Sequence, residues 1–215
     1  EGAVLPKSLH RPLLIAAGVT TLPFALVLYA AGTWASALWL TVALFAVYVY
    51  SAPPFRFKEI PVLDSVTSSA HFTVPALVGA TIADPAVSHG FWLAAAAFFL
   101  WGMASHALGA VQDVVADREG GLSSIATGLG ARLTTRLACG GYAIAALLCF
   151  ALPFPGWVVG VLGFGYAANA LRFANVTDET SADVNRAWRV FLWLNFATGG
   201  VITMAVLFFL FPPSA

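Results

Sequence analysis

Residues 91–121 read FWLAAAAFFLWGMASHALGAVQDVVADREGG and decide how this chain folds. The run up to Val111 is apolar and matches the ~20 residues that a helix needs to cross a bilayer. Asp113 and Asp117 follow at once, four residues apart, so a helix would place them on one face. Carboxylates at the end of a membrane helix are costly in free energy and are often functional.

Two carboxylates one helical turn apart suit Mg²⁺, which takes one or two carboxylates and leaves positions for phosphate oxygens. The alternative is that Asp113 and Asp117 are ordinary solvated charges at the point where the chain leaves the bilayer. The spacing alone does not separate a metal site from solvated charges, and the rest of the sequence has to do so.

The composition is that of an integral membrane protein. Of the 215 residues, 60% are hydrophobic and 9% are charged, whereas a soluble domain has about 25% charged residues. Cys139 and Cys149 both lie in one apolar run, so we interpret them as core residues and predict no disulfide or metal site from them. No nucleic-acid partner is expected. The chain begins at Glu1 without a signal-peptide pattern, so we expect it to be part of a longer protein.

Seven apolar spans are predicted, and each is close to the length that a bilayer requires. The runs are continuous rather than alternating, which favours helices over strands. The fold class is therefore all-α, a multi-pass transmembrane helical bundle in which residues 1–215 form a single domain. The predicted spans are residues 12–31, 34–50, 65–83, 91–112, 133–152, 156–173 and 189–211.

The distribution of basic residues predicts the orientation. All ten lie beside the loops of one side: Lys7, Arg11, Arg56, Lys58, Arg118, Arg132, Arg136, Arg172, Arg186 and Arg189. The other side, with residues 31–33, 84–90, 153–155 and 212–215, has none. Because Lys and Arg concentrate in cytoplasmic loops, we expect a plasma-membrane protein with a cytoplasmic N-terminus and an external C-terminus. Asp113 and Asp117 would then face the cytoplasm.

The loop after the second span, residues 50–58, reads YSAPPFRFK. Pro53 and Pro54 stop the helix and should hold the backbone extended. In an extended segment Arg56 and Lys58 project to the same side, where they would clamp a diphosphate, Arg in a bidentate way and Lys as a point charge. The alternative is that both are only a positive-inside flank.

Polar stripes on the third and fourth spans are predicted to face a cavity or the bundle rather than lipid. With the cationic loop they would form one polar mouth. His71 and His106 have the alternative interpretation of hydrogen-bonded packing residues. The stripes comprise Asp64, Thr67 or Ser68, His71 and Pro75 on the third span, and Ser105 or His106, Gly109, Gln112 or Asp113, and Asp117 on the fourth.

Aromatic residues are abundant, with 17 Phe, 7 Trp and 5 Tyr. A few of them, lining the mouth, would stabilise a carbocation through the ring face, but the sequence does not indicate which. Gly156 and Gly160, and the alanines of residues 94–97, favour close helix packing.

The residues resemble a known family. Asp113-x₃-Asp117-x₃-Gly121, followed by LSSIATGLG through Gly130, resembles the second aspartate-rich motif of the UbiA superfamily of membrane prenyltransferases. The loop of residues 50–58 is similar to that family's Tyr/Lys loop, in the form seen in its chlorophyll-synthase and lycopene-elongase branches. Residues 63–72, LDSVTSSAHF, look most like the lycopene elongases of C50 carotenoid pathways.

The resemblance implies a Mg²⁺-dependent transferase that moves a prenyl group from an allylic diphosphate, dimethylallyl diphosphate in this branch, to lycopene. Alternative acceptors are an aromatic or quinone ring, chlorophyllide or a lipid. Asp113 and Asp117 would be the metal ligands and, with Lys58, the catalytic residues. The implied substrate-binding residues are Tyr50, Arg56, Lys58, Asp64, His71, His106, Gln112 and Arg118. Asp64 would orient Lys58 or join the metal shell, and the first role is preferred.

One departure from the family is expected to matter. The family has nine spanning helices and a first aspartate-rich motif after the second, whereas this chain has seven spans and no such motif. Both differences are explained if helices one and two and the first motif precede Glu1.

A second functional class, a seven-helix receptor, channel or transporter, fits the sequence less well. A retinal protein needs a lysine in its last helix, and residues 189–211 contain none. Transporters often carry an internal repeat, and none is detected.

Overall fold

The computed structural model describes residues 6–210, and side chains through Phe208. Its regular elements within that range are all helical, as predicted. Nine α-helices follow in chain order: α1 Lys7–Ala31, α2 Trp34–Ser51, α3 Leu63–Ala83, α4 His89–Val111, α5 Val114–Glu119, α6 Ile125–Leu129, α7 Ala131–Phe150, α8 Gly156–Leu171 and α9 Asn185–Leu210.

Each of the seven predicted spans corresponds to one of these helices, and α5 and α6 are two short helices that the sequence analysis did not predict. Six helices in the described range are long and apolar enough to cross a membrane. The seventh helix that matches a predicted span, α8, is apolar but has only 16 residues. The end of the seventh predicted span at Phe211, and the terminal segments 1–5 and 211–215, lie outside the described residues.

Local sequence signals set several helix ends. Thr33 caps α2 by accepting a hydrogen bond from the Ser36 amide at 3.1 Å, and Ser88 caps α4 by accepting one from the Phe91 amide at 3.2 Å. Ser124 and Thr127 form a reciprocal capping box at the start of α6. These caps fix where the membrane helices begin and where the short helix beside the site starts.

Close approach between helices depends on small residues. A Cβ on Gly163 of α8 would meet the Ala146 Cβ of α7 at 2.9 Å, and one on Gly141 of α7 would meet the Ala104 Cβ of α4 at 3.1 Å. Gly160 likewise faces the backbone of α7, as the glycine spacing predicted. Dispersion contacts between such close backbones hold helices together in lipid, where burial from water contributes little.

Large apolar side chains on the outside of the bundle indicate a lipid-facing surface. Leu14 of α1, Trp34 of α2 and Phe196 of α9 are each more than 70% exposed. Apolar exposure on this scale is not found on soluble monomers. The chain is therefore a multi-pass membrane protein.

The prediction of an extended loop after α2 is wrong. Arg56 has the left-handed backbone angles φ 42° and ψ 51°, and Phe57–Glu59 form a single 3₁₀ turn. Turn hydrogen bonds explain the difference, since the Arg56 amide donates to the Ala52 carbonyl at 3.1 Å and the Glu59 amide to the Arg56 carbonyl at 2.9 Å. A side-chain ion pair between Arg56 and Glu59 closes the same turn.

Candidate active site

A polar cavity of about 540 Å³ lies where α2, α4, α5 and α9 end or begin together. Its walls bring residues far apart in the sequence into one mouth. Lining residues are Tyr50, Arg56, Lys58, Glu59, His106, Gly109, Ala110, Gln112, Asp113, Asp117, Leu122, Ser123, Ser124 and Trp188. The predicted convergence of the α4 stripe with the cationic loop is therefore present.

The aspartate pair occupies the break between α4 and α5. Asp113 stands immediately before α5, and the Asp117 amide donates to the Asp113 carbonyl at 2.8 Å. This one-turn geometry puts both side chains on the same cavity, as their spacing predicted. Burial, and to a lesser degree the nearby Asp117 charge, raises the pKa of the Asp113 carboxyl.

The donor set fits a divalent cation that keeps other ligands. A bound cation would stabilise the ionised Asp113 carboxylate against this burial and the neighbouring negative charge. Within residues 6–210 no group of three or more His, Cys, Asp or Glu side chains forms a closed metal cage. Mg²⁺ does not need such a cage, because it is usually held by one or two carboxylates plus phosphate oxygens and water.

The cationic loop lines the same cavity as the aspartates. Arg56 pairs with Glu59, and both of them and Lys58 line the cavity. Tyr50 closes the wall behind the loop and packs edge-on against His71, with ring centroids 5.0 Å apart.

The structure places three of the predicted substrate-binding residues outside the cavity lining. His71 lies behind Tyr50. Asp64 is fully buried. Arg118 points away, donating to the Asp178 carboxylate at 2.6 Å and to the Thr127 carbonyl at 3.1 Å.

Asp64 is held at the start of α6 rather than against Lys58. One carboxylate oxygen accepts from the Ser65 amide at 2.6 Å, and the other accepts from the Ile125 amide at 2.6 Å. The Nε2 atom of His106 lies 3.6 Å from the second oxygen. Asp64 thus joins α3, α6 and the His106 side of the cavity. The prediction that Asp64 orients Lys58 does not agree with these contacts.

Arg118 belongs to a connection between the α5 helix and the α8–α9 loop. The Asp178 carboxylate of that loop also accepts from the Ala131 amide at 2.7 Å, at the start of α7. The amide bond and then the Arg118 guanidinium lower the pKa of Asp178 below its usual range. Gln112 makes a further connection, since it accepts from the Asn185 amide side chain at 2.9 Å.

A second, apolar cavity of about 590 Å³ lies between α4, α7, α8 and α9. An aromatic stack connects the two cavities. Trp188, on the polar cavity, stacks on Phe191 at 4.7 Å, and Phe191 stacks on Trp101 at 5.8 Å. Trp101 lines the apolar cavity together with Tyr142 and Tyr166.

Sequence reasoning missed Trp188 and the stack that it begins. The available signal was the recurrence of residues 188, 191, 195 and 198 at helical spacing on α9. Gly109 of α4 leaves room for the Trp188 ring, because a Cβ at this position would meet the ring at 3.2 Å.

The chain is similar to proteins of known name. The model of the UbiA prenyltransferase family matches residues 7–211. Lycopene elongase/hydratase of Corynebacterium glutamicum is 54% identical over 207 residues, which cover 96% of this chain and 72% of that protein. The C(50) beta-cyclic carotenoids biosynthesis protein LbtBC of a Dietzia species is 46% identical over 209 residues, 96% of this chain and 48% of that protein.

A solved structure shares the fold. The UbiA homolog from Archaeoglobus fulgidus, bound to Cd²⁺, superimposes with a TM-score of 0.57 at 22% identity, over 85% of this chain and 72% of that one. The family match begins at the first residue of α1 and runs beyond the last of α9. The resemblance drawn from the aspartate motif is confirmed, and the chain belongs to the UbiA prenyltransferase family.

Proposed function

We propose that this protein transfers the prenyl group of dimethylallyl diphosphate to lycopene in carotenoid biosynthesis. The observation that carries the proposal is the junction of a charged cavity with an apolar one through the Trp188–Phe191–Trp101 stack. Such a junction suits a reaction between an anionic donor and a hydrophobic acceptor. The name of the Corynebacterium relative, lycopene elongase/hydratase, supports this choice of acceptor.

The polar cavity would hold the diphosphate. Asp113 and Asp117 would bind Mg²⁺, which, when present, neutralises charge on the departing diphosphate. Lys58 and the Arg56 guanidinium, which line the same cavity, would bind the remaining phosphate oxygens. Arg56 keeps its pairing with Glu59, which fixes the direction of its fork.

The aromatic stack would receive the prenyl group. Breaking the carbon–oxygen bond leaves an allyl cation, and an aromatic ring face attracts a cation. Trp188 lines the polar cavity together with the charged groups, and Gly109 lets its ring pack close to α4. The end of the polyene would enter through the apolar cavity, where few polar groups and little water compete for the cation.

The proposed location is the plasma membrane, with the polar cavity on the cytoplasmic side. The ten basic residues, all beside loops on one side of the predicted spans, support this orientation. A water-soluble donor would then reach the site from the cytoplasm, and the acceptor from the bilayer.

The proposal is tested by acceptor choice. Membranes of cells that express the complete reading frame are given dimethylallyl diphosphate and Mg²⁺ with lycopene, a quinone-precursor ring or chlorophyllide. Mass spectrometry should detect lycopene carrying one or two additional five-carbon units. Prenylation of the ring or the chlorophyllide, with lycopene unchanged, would overturn the choice of acceptor within the family.

A further inference from the structure

We propose that His106 is the base that ends the reaction, and that Asp64 is the positioning residue that holds the imidazole for it. The inference rests on the proposed prenyl transfer. It assigns a separate step, because joining donor to acceptor leaves a carbocation on the product that has to lose a proton.

The position of His106 fits that step. His106 is on the cavity wall, in α4, six residues before Gln112. At the helical rise of about 1.5 Å per residue, His106 lies about 9 Å farther than Gln112 from the proposed cytoplasmic end of the helix. Asp113 and Asp117 follow the end of α4, so His106 lies about two helical turns back from them, on the cavity that Trp188 also lines. A base that deprotonates the product cation has to lie away from the diphosphate, as His106 does. A residue that only bound the diphosphate would be expected beside the aspartates.

Asp64 has the properties of a partner that orients an imidazole. It is buried, and the bonds it accepts come from neutral donors, namely the Ser65 amide and hydroxyl and the Ile125 amide. Among the described residues, the one basic nitrogen within 4.0 Å of this carboxylate is His106 Nε2. The imidazole of His106 is therefore the side chain that this buried carboxylate can orient.

The two residues are those of the orienting half of a catalytic triad, here 3.6 Å apart and so slightly beyond hydrogen-bond distance. In the neutral ring, a proton on Nε2 directed at Asp64 leaves the lone pair on Nδ1. When Nδ1 takes a proton, the buried carboxylate stabilises the imidazolium that forms. The other titratable groups on the cavity are less suitable as the base, since the two aspartates would hold the metal, Glu59 is paired with Arg56, and Lys58 and Tyr50 belong to the loop proposed to bind the diphosphate.

The carbon–oxygen bond of the donor breaks and its electron pair leaves with the diphosphate. The π electrons of the acceptor form the new carbon–carbon bond, which leaves a tertiary cation on the acceptor. A carbon–hydrogen bond beside that cation breaks, its electron pair closes a double bond, and Nδ1 of His106 takes the proton. The proton then passes to the diphosphate in the same cavity and departs with it, which restores the neutral ring.

The test measures coupling, defined as prenylated lycopene formed per diphosphate released, in membranes with the complete protein. In His106→Gln the allyl cation still forms, but the product cation reverts because it is not deprotonated, and water captures the allyl cation as free prenyl alcohol. Coupling should fall at least about tenfold, as expected for loss of a general base. The apparent KM for dimethylallyl diphosphate should stay within about twofold of wild type.

Two further variants separate the loss of the His106 base from a general effect on the protein. His89→Gln removes an exposed histidine at the other end of α4, outside the lining of both cavities, so its coupling should match wild type. Asp64→Asn, which keeps the shape but not the charge, should lower coupling in the same direction as His106→Gln and serves as the test if that variant does not accumulate in membranes.

Wild-type coupling in His106→Gln or, where that variant is missing, in Asp64→Asn would overturn the inference and indicate the diphosphate as the base. A raised KM with unchanged coupling would make His106 a donor-binding residue only. Failure of the proposed function has a different signature, because wild-type membranes would then yield no five-carbon adduct of lycopene.

Discussion

Arg56 and Lys58 line the same wall of the polar cavity, but their side chains recognise anions differently. Arg56 is a planar fork held by Glu59, and Lys58 is a point charge. Exchanging them, Arg56→Lys with Lys58→Arg, keeps the charge that sets membrane orientation and changes the geometry. We predict that the apparent KM for dimethylallyl diphosphate rises roughly tenfold, about 1.4 kcal/mol, with little change for lycopene.

Steady-state kinetics on both substrates measure this effect. Arg132→Lys is the control, because Arg132 flanks the membrane outside the polar cavity. Wild-type donor kinetics in the exchanged enzyme would mean that the two cations are only a positive-inside flank.

Asp178 links the α8–α9 loop to the start of α7 and to Arg118. Asp178→Ala removes a carboxylate that accepts from a helix-terminal amide, and loss of such a cap typically costs about 1 kcal/mol. We expect a lower unfolding temperature by tryptophan fluorescence in detergent at pH 7. Asp183→Ala is the matched control, because its pair with Arg186 is on the surface and such pairs contribute little.

The pH dependence of that difference has a definite sign. The folded pKa of Asp178 is lowered, so its contribution is fully present above the ordinary aspartate range, near ~3.9, and is lost as the pH falls through the lower folded value. The difference in unfolding temperature between wild type and Asp178→Ala should therefore stay constant from pH 7 to pH 5. It should disappear only in stronger acid. A gap that closes between pH 7 and pH 5 would contradict this assignment.

At the scale of elements, glycines set how closely α7 and α8 approach. Gly163→Ala places a Cβ 2.9 Å from the Ala146 Cβ, whereas a Cβ on Gly140 of α7 meets no atom within 4 Å. Overpacking typically costs about 1–3 kcal/mol, while alanine in an open helix position gains up to about 1 kcal/mol over glycine. We predict that Gly163→Ala lowers the unfolding temperature and Gly140→Ala does not.

Thermal unfolding of both variants in one detergent provides the comparison. Equal stability of Gly163→Ala and Gly140→Ala would contradict the close α7–α8 packing.

The helices themselves could be predicted because an apolar run of bilayer length is a local property of the sequence. The shared cavity of Asp113 and Asp117 could be predicted for the same reason, since it needs only one helical turn. The partners of Asp64 could not, because the Ile125 amide lies 61 residues away along the chain. The position of Trp188 opposite Gly109 likewise depends on how α9 packs against α4, which periodicity does not determine.

The prediction of an extended loop after α2 is also wrong for a physical reason. Pro53 and Pro54 end α2, as the sequence indicated, but the residues after them are free to turn. The backbone bonds of Arg56 and Glu59, together with their ion pair, stabilise a turn instead. The loop still delivers Arg56 and Lys58 to one cavity, so the predicted grouping of the two cations holds while the predicted conformation does not.

At the scale of the whole molecule, the orientation follows from ten basic residues on one side. We predict that a cysteine at Ala86, in the α3–α4 loop, is labelled by an impermeant reagent from outside the cell. A cysteine at Thr180, in the α8–α9 loop, should be labelled only after the membrane is opened. Both positions are exposed, and Cys139 and Cys149 would first be replaced by alanine. The opposite labelling pattern would invert the proposed topology.

Asp113 and Asp117 are proposed to hold the divalent cation on which prenyl transfer at the polar cavity depends. The most direct measurement is transfer of label from dimethylallyl diphosphate to lycopene in membranes, with Mg²⁺ removed by a chelator and then restored. Wild-type transfer should stop and recover, and Asp113→Asn and Asp117→Asn should each lose at least about 100-fold, equivalent to about 2.7 kcal/mol of barrier. Glu119→Gln, on the same short helix but outside the cavity lining, should retain wild-type transfer. Full activity in Asp117→Asn, or transfer that continues without a divalent cation, would contradict the account.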